Sequence, residues 1–148
     1  MLDVLWDEGS AELKQQLLFV YGTLKRGFVR HPVLQDESFY GTAVTVNSYR
    51  LLDCGSYPGL VSSDDGLAVQ GEVYGVSDEC LAVCDEVEGV AEGLYAREMI
   101  SVQSLADPEE RVDAWVYLYL GSTTNLPNCG FAWPPDDSAD SNAVRNDI

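Results

Sequence analysis

The stretch Leu67–Gly89, LAVQGEVYGVSDECLAVCDEVEG, sets a strand pattern and a helix pattern back to back. From Leu67 to Val76 the residues alternate, with Val69, Gly71, Val73 and Gly75 on one face and Gln70, Glu72, Tyr74 and Val76 on the other. Ser77-Asp78 then forms a helix N-cap, the helix runs to Glu88, and Gly89 ends it in the manner of a glycine C-cap. No other segment predicts a helix of comparable length. The fold class is therefore α+β: a curved sheet or small β-barrel packed by helices.

Working outward, Leu17-Leu18-Phe19-Val20-Tyr21 is a short apolar run stopped by Gly22, which is the pattern of a buried strand. His31 to Asp36 reads as one or two helical turns with Pro32 at an early position. Phe39 to Leu52 reads as one long strand bent near Asn47-Ser48, and Leu60-Val61 begins another. Asp64-Asp65-Gly66, between two apolar runs, predicts a hairpin turn. Leu94 to Leu105 is a long strand candidate. Val112, Ala114, Val116, Leu118 and Leu120 alternate with Asp113, Trp115, Tyr117 and Tyr119, so that strand must be covered on both faces. Three zones result: residues 1–16 as an N-terminal arm or short helix, 17–121 as the folded domain, and 122–148 as an irregular, partly mobile acidic tail rich in Pro, Asn, Asp and Ser.

Composition narrows the chemistry. The 148 residues fit one domain, and 46% hydrophobic content is enough for a real core. Against 25 Asp+Glu stand 8 Lys+Arg, a net charge of −17. Such a surface gains nothing from counterion release on nucleic acid and is repelled by anionic lipid, which argues against both partners. Adaptation to salt and a generally acidic proteome account equally well for the charge. The single histidine, His31, removes any site needing two imidazoles. Cys54, Cys80, Cys84 and Cys129 form no C-x-x-C pair and read as reduced thiols. The acidic N-terminus lacks a signal-peptide pattern, and no run is long and apolar enough for a membrane span. The expectation is a soluble, cytoplasmic, acidic single domain whose oligomeric state is open.

On the predicted helix, Cys80, Leu81, Cys84 and Val87 share the packed face, Glu86 points to water and Asp85 lies at the flank. Glu88, four residues after Cys84, falls back inside the apolar arc. A carboxylate aimed at the core from a helix C-terminus meets desolvation and the negative end of the dipole, and both raise its pKa. Such a group marks either a functional site or a solvated last-turn residue. Tyr21-Gly22-Thr23-Leu24 is a strand end turning through glycine, where successive backbone N–H groups can approach a ligand oxygen; a plain β-turn is the competing reading.

Other residues have milder readings. Cys80 and Cys84 fit core packing better than a soft-metal site. His31 fits a surface or capping position better than a pocket. Arg97 fits a structural ion pair at least as well as a substrate-carboxylate clamp. Asp64-Asp65-Gly66 is a turn and not a calcium loop. Trp115, Tyr117 and Tyr119 are sheet packing, with one hydroxyl of that face able to reach a cavity.

Together, these segments resemble the γ-glutamylcyclotransferase-like family, and γ-glutamylamine cyclotransferases in particular. The resemblance rests on Leu18–Gly27 (LFVYGTLKRG), Tyr57-Pro58-Gly59-Leu60, Gly71-Glu72-Val73-Tyr74, Cys84–Gly89 (CDEVEG) with Tyr95-x-Arg97, and Val116-Tyr117, in that order across residues 17–120. It implies an antiparallel or mixed β-barrel flanked by helices. It also implies an intramolecular acyl transfer, in which the α-amine of a γ-glutamyl compound attacks its own γ-carbonyl and 5-oxoproline and an amine or amino acid depart. Carried over, Glu88 matches the catalytic glutamate, Tyr21, Gly22, Thr23 and Leu24 the substrate-holding loop, and Tyr95 a pocket tyrosine. Phe28-Val29-Arg30-His31 departs from the polar turn that relatives often carry there, which bears on the leaving-group pocket.

The chemistry that the resemblance implies acts on a small-molecule γ-glutamyl substrate with no metal and no cofactor, which suits a chain with one histidine, and it agrees with the residues. A desolvated Glu suits removal of the ammonium proton and its return to the departing nitrogen. The turn N–H groups or a tyrosine hydroxyl suit the oxyanion. The alternatives are a non-enzymatic barrel that binds small carboxylates, and release of a γ-glutamyl protecting group from a metabolite.

Overall fold

The computed structural model describes residues 16–134. Seven strands and one α-helix follow in the order β1 (Gln16–Val20), β2 (Ser38–Thr45), β3 (Tyr49–Asp53), β4 (Pro58–Ser62), β5 (Gln70–Val76), α1 (Asp78–Glu88), β6 (Tyr95–Ser104) and β7 (Arg111–Tyr119), with a 3₁₀ turn at His31–Leu34. Five strands close a barrel in the order β1-β5-β2-β6-β7. Its seams are antiparallel except the last, where β1 meets β7 in parallel at Leu18 and Trp115. β3 and β4 pair as a separate two-stranded sheet. A small mixed barrel with flanking helical elements is the fold the sequence predicts.

Alternation along the strands builds two cores. Phe19 and Tyr21 of the first run, Val73 of β5, and Ala114 and Val116 of β7 fill the barrel interior. The opposite residues, Leu18, Val20, Tyr74, Val76 and Tyr117, pack outward against Cys80, Leu81 and Cys84 of α1 and Leu34 of the 3₁₀ turn. A fully buried Leu or Val side chain contributes about 1.5–3 kcal/mol. This two-sided burial is why β1 and β7 carry apolar residues at successive positions. The helix ends as its sequence predicts. Ser77 Oγ accepts from Cys80 N at 3.0 Å, and Gly89 takes the left-handed conformation (φ 73°, ψ 37°). The Val90 and Gly89 N–H groups close back on the Asp85 and Glu86 carbonyls.

Two expectations change. Phe39–Leu52 is not one bent strand: the chain leaves the barrel after Thr45 and enters the small sheet at Tyr49, so the bend is a change of sheet. The turn at Asp64-Asp65 exists, yet it closes no hairpin. β4 pairs only with β3, and β5 is already flanked by β1 and β2. Both edges of β5 are taken by strands distant in sequence, which a local turn signal does not register. Two zone boundaries also meet the structure. The first strand begins at Gln16, and residues 1–15 lie outside the described residues. After residue 121 the chain is irregular, but Cys129 and Trp133 are buried in the barrel-side core. The Lys25 ammonium donates to the Trp133 carbonyl. Residues 135–148, where the expected mobility falls, lie outside the described residues. No helix among the described residues is long and apolar enough to cross a membrane.

Candidate active site

At the end of β1 the chain turns at Gly22, with Lys25 N donating to Gly22 O at 3.0 Å. Glycine is required there by close approach: a Cβ on Gly22 would lie 2.7 Å from Pro58 Cγ and 2.8 Å from Cδ. Pro58 is placed in turn by Tyr95, whose hydroxyl donates to the Pro58 carbonyl at 2.6 Å. Gly59 lies flat on Tyr119, with a Cβ there only 2.6 Å from Tyr119 Cγ. The missing side chain of Gly22 lets the Tyr-Gly-Thr-Leu and Tyr-Pro-Gly-Leu segments meet, and that of Gly59 lets the second segment lie against β7.

These contacts frame a recess of about 470 Å³, its open mouth included, between the turn, β4 and the end of α1. Tyr21, Gly22, Thr23, Leu24, Glu88 and Tyr95, the six residues singled out in the sequence, all line it. Tyr57, Pro58, Arg30, Leu94 and Tyr117 complete the walls. His31 stays outside: its Nδ1 lies 3.0 Å from the Leu24 carbonyl, so that nitrogen carries the proton and braces the turn from behind.

Glu88 is buried at the helix end, as the heptad-like spacing from Leu81 predicts. Burial raises its carboxyl above the ordinary value of 4.5, opposed by Arg30 through charge and hydrogen bonding. The Arg30 Nη1 atom stands 3.5 Å from Glu88 Oε2 and donates to the Val87 carbonyl at 2.9 Å. Only 10% of the Glu88 side chain is exposed, against 42% of Arg30. Arg30 therefore stands on the solvent side of the carboxylate.

The hydroxyls of Tyr21, Tyr95 and Tyr117 are committed elsewhere. Tyr21 donates to Tyr117 O at 2.6 Å and accepts from Leu60 N at 3.2 Å, and burial holds its pKa well above 10.0. Tyr117 donates to Asp85 Oδ1 at 2.7 Å. By contrast, the backbone N–H groups of Gly22, Thr23 and Leu24 meet no protein acceptor among the described residues, although all three residues are buried. Buried N–H groups are ordinarily paired. Three in succession, on residues that line a recess, are donors of the kind that can cradle a ligand oxygen.

From the recess wall, Tyr117 leads to a network with Asp85 and Arg97 behind it. Arg97 holds Asp85 through Nε at 2.7 Å and Nη2 at 3.1 Å and lies 4.3 Å from the Trp115 ring centroid. Its structural ion pair is thus what the structure shows, and Arg97 does not line the recess. Cys80 and Cys84 pack in the outer core, with Cys80 Sγ donating to Val33 O at 3.5 Å. Arg30 is the wall residue that residue-by-residue reading passed over. The available signal was charge: of 8 Lys+Arg in the chain, Lys25, Arg26 and Arg30 fall just after the glycine turn.

Known proteins resemble this chain in sequence and in fold. A γ-glutamylaminecyclotransferase of Homo sapiens is 34% identical over 138 residues, covering 84% of this chain and 90% of that protein. A protein of Arabidopsis thaliana is 43% identical over 93 residues, 57% of this chain, and the chain spans 49% of its length. The crystal structure of an AIG2-like protein from Mus musculus superposes with a TM-score of 0.69 at 33% identity, covering 77% of this chain and 85% of that one. The sequence model of one family, described as "Gamma-glutamyl cyclotransferase, AIG2-like", matches residues 18–133. The chain belongs to the γ-glutamyl cyclotransferase, AIG2-like family.

Proposed function

We propose that this member of the family cyclises γ-glutamyl compounds, releasing 5-oxoproline and the amine or amino acid that was bound to the γ-carbonyl. The observation that carries the reading is a buried carboxylate, Glu88, sharing one recess with the unclaimed N–H groups of Gly22, Thr23 and Leu24.

In this reading Glu88 takes a proton from the substrate's α-ammonium. The freed amine attacks the γ-carbon, closing a five-membered ring. The carbonyl oxygen becomes an oxyanion and takes hydrogen bonds from the turn N–H groups, which need no rearrangement to donate. As the C–N bond to the leaving group breaks, Glu88 returns the proton to the departing nitrogen. A carboxyl raised by burial holds a proton more tightly than an ordinary one and serves both steps nearer neutrality. Because nucleophile and electrophile belong to one molecule, a recess that folds the γ-glutamyl arm brings them into reacting distance. Tyr95 and Tyr21 act as supports in this scheme, since their hydroxyls are bonded to backbone.

The test is to incubate the protein with γ-glutamyl amines, amino acids and dipeptides and quantify 5-oxoproline. Release by the wild type and its loss in Glu88→Gln are expected. Retained turnover in that variant would remove Glu88 from the mechanism, and silence of the wild type across the panel would overturn the reaction.

A further inference from the structure

Three cations follow the glycine turn, and they have different fates. The Lys25 ammonium is folded away onto the Trp133 carbonyl. Arg26 lies 4.0 Å over the Phe39 ring, with its guanidinium 3.9 Å from Glu72, and it does not line the recess. Arg30 alone of the three faces the recess.

Arg30 is held but not saturated. Nη1 reaches Val87 O and Glu88, while Nε and Nη2 meet no protein acceptor among the described residues. Its backbone is fastened as well, with Arg30 N donating to Thr23 O at 2.9 Å. A guanidinium so anchored, with donors to spare at a half-exposed mouth, is suited to a carboxylate, which accepts two parallel N–H bonds. In a chain of net charge −17, an anion approaching this mouth is otherwise repelled.

What an anion there would belong to follows from depth. On the proposed reaction, the γ-glutamyl head must reach Glu88, which is the buried partner. The departing group then extends outward past Arg30, the exposed one. We propose that Arg30 is a specificity-determining residue that selects leaving groups carrying a carboxylate, such as the α-carboxylate of a released amino acid, over neutral or cationic amines. This inference rests on the cyclotransferase reading and goes beyond it by naming the class of leaving group.

The experiment uses a matched pair, γ-glutamylalanine and γ-glutamylethylamine, which differ only by the leaving-group carboxylate. kcat/KM for 5-oxoproline release and Kd for Glu88→Gln-trapped complexes are measured for the chain with Arg30 and with Arg30→Gln, circular dichroism melting confirming that both fold. The expected result is a preference for γ-glutamylalanine that falls about tenfold or more in Arg30→Gln, the effect of losing a charge-assisted contact. In Arg30→Glu the preference passes to γ-glutamyl derivatives of diamines. Any influence of Arg30 on Glu88 touches both substrates alike and cancels in the ratio. A ratio unchanged by Arg30→Gln, or an equal fall on both substrates, overturns the proposal. If the wild type turns over neither compound, the cyclotransferase reading fails instead, and the Kd ratio still decides whether Arg30 discriminates by the carboxylate.

Discussion

The Pro58 carbonyl accepts the Tyr95 hydroxyl at 2.6 Å, and the Pro58 ring lies where a side chain on Gly22 would have to go. One proline thus couples the β6 strand to the turn that lines the recess.

Tyr95→Phe removes the donor and leaves a buried carbonyl unpaired. The expected loss of stability is about 1–3 kcal/mol, read as a lower urea midpoint with unchanged slope. The same variant should lower kcat/KM less than Glu88→Gln does, because Tyr95 acts through Pro58. An unmoved midpoint would show that the carbonyl finds another donor.

Gly22→Ala places a methyl 2.7 Å from Pro58 Cγ. Neither ring nor turn can yield without shifting the other, so roughly 1–3 kcal/mol of destabilisation is expected from overpacking. The N–H cradle moves with the turn, and kcat should fall beyond what the stability change explains. Comparison at a temperature well below both melting points separates the two effects.

Burial raises the Glu88 carboxyl above 4.5 in the folded chain. The folded state then binds this proton more tightly than the unfolded state does. This contribution to stability is full below the unfolded pKa and is lost as pH rises through the folded one. Glu88→Gln has no such titration, so its melting temperature should gain on the wild type as pH rises from 4.5 towards neutrality. Activity runs the other way, since the base must be ionised: kcat/KM should rise through an acid limb above the ordinary carboxyl range. Arg30 opposes the raised pKa, so Arg30→Gln should move that limb to higher pH. A limb that stays in place would detach Arg30 from Glu88 electrostatics.

Asp85→Asn breaks the paired bonds to Arg97 and weakens the bond from Tyr117, leaving a partly buried guanidinium on Trp115. A loss of about 1–3 kcal/mol is expected. Adding Arg97→Gln should cost less than the sum of the single changes, because the pair is coupled. Strict additivity in the thermal melts would contradict the network.

Much of this molecule is written locally. The periods of two and 3.6, the Ser77 and Gly89 caps, the inward turn of Glu88 and the two-faced apolar strands β1 and β7 were all legible, because each depends on residues a few positions apart. That Tyr21 to Leu24, Tyr95 and Glu88 belong together was legible only through ordered resemblance, since spacing alone favoured a plain β-turn and left the inward turn of Glu88 against a solvated helix end. Tertiary structure decided the rest. It sends Phe39–Leu52 into two sheets, gives both edges of β5 to β1 and β2, sets Pro58 on Gly22, brings Trp133 back to Lys25, and turns Arg30 alone of three neighbouring cations into the recess. The physical reason is the same throughout. A strand's alternation records that it has two covered faces but not which strands cover its edges, and a cation's sequence neighbours do not include the carbonyl or carboxylate that will hold it.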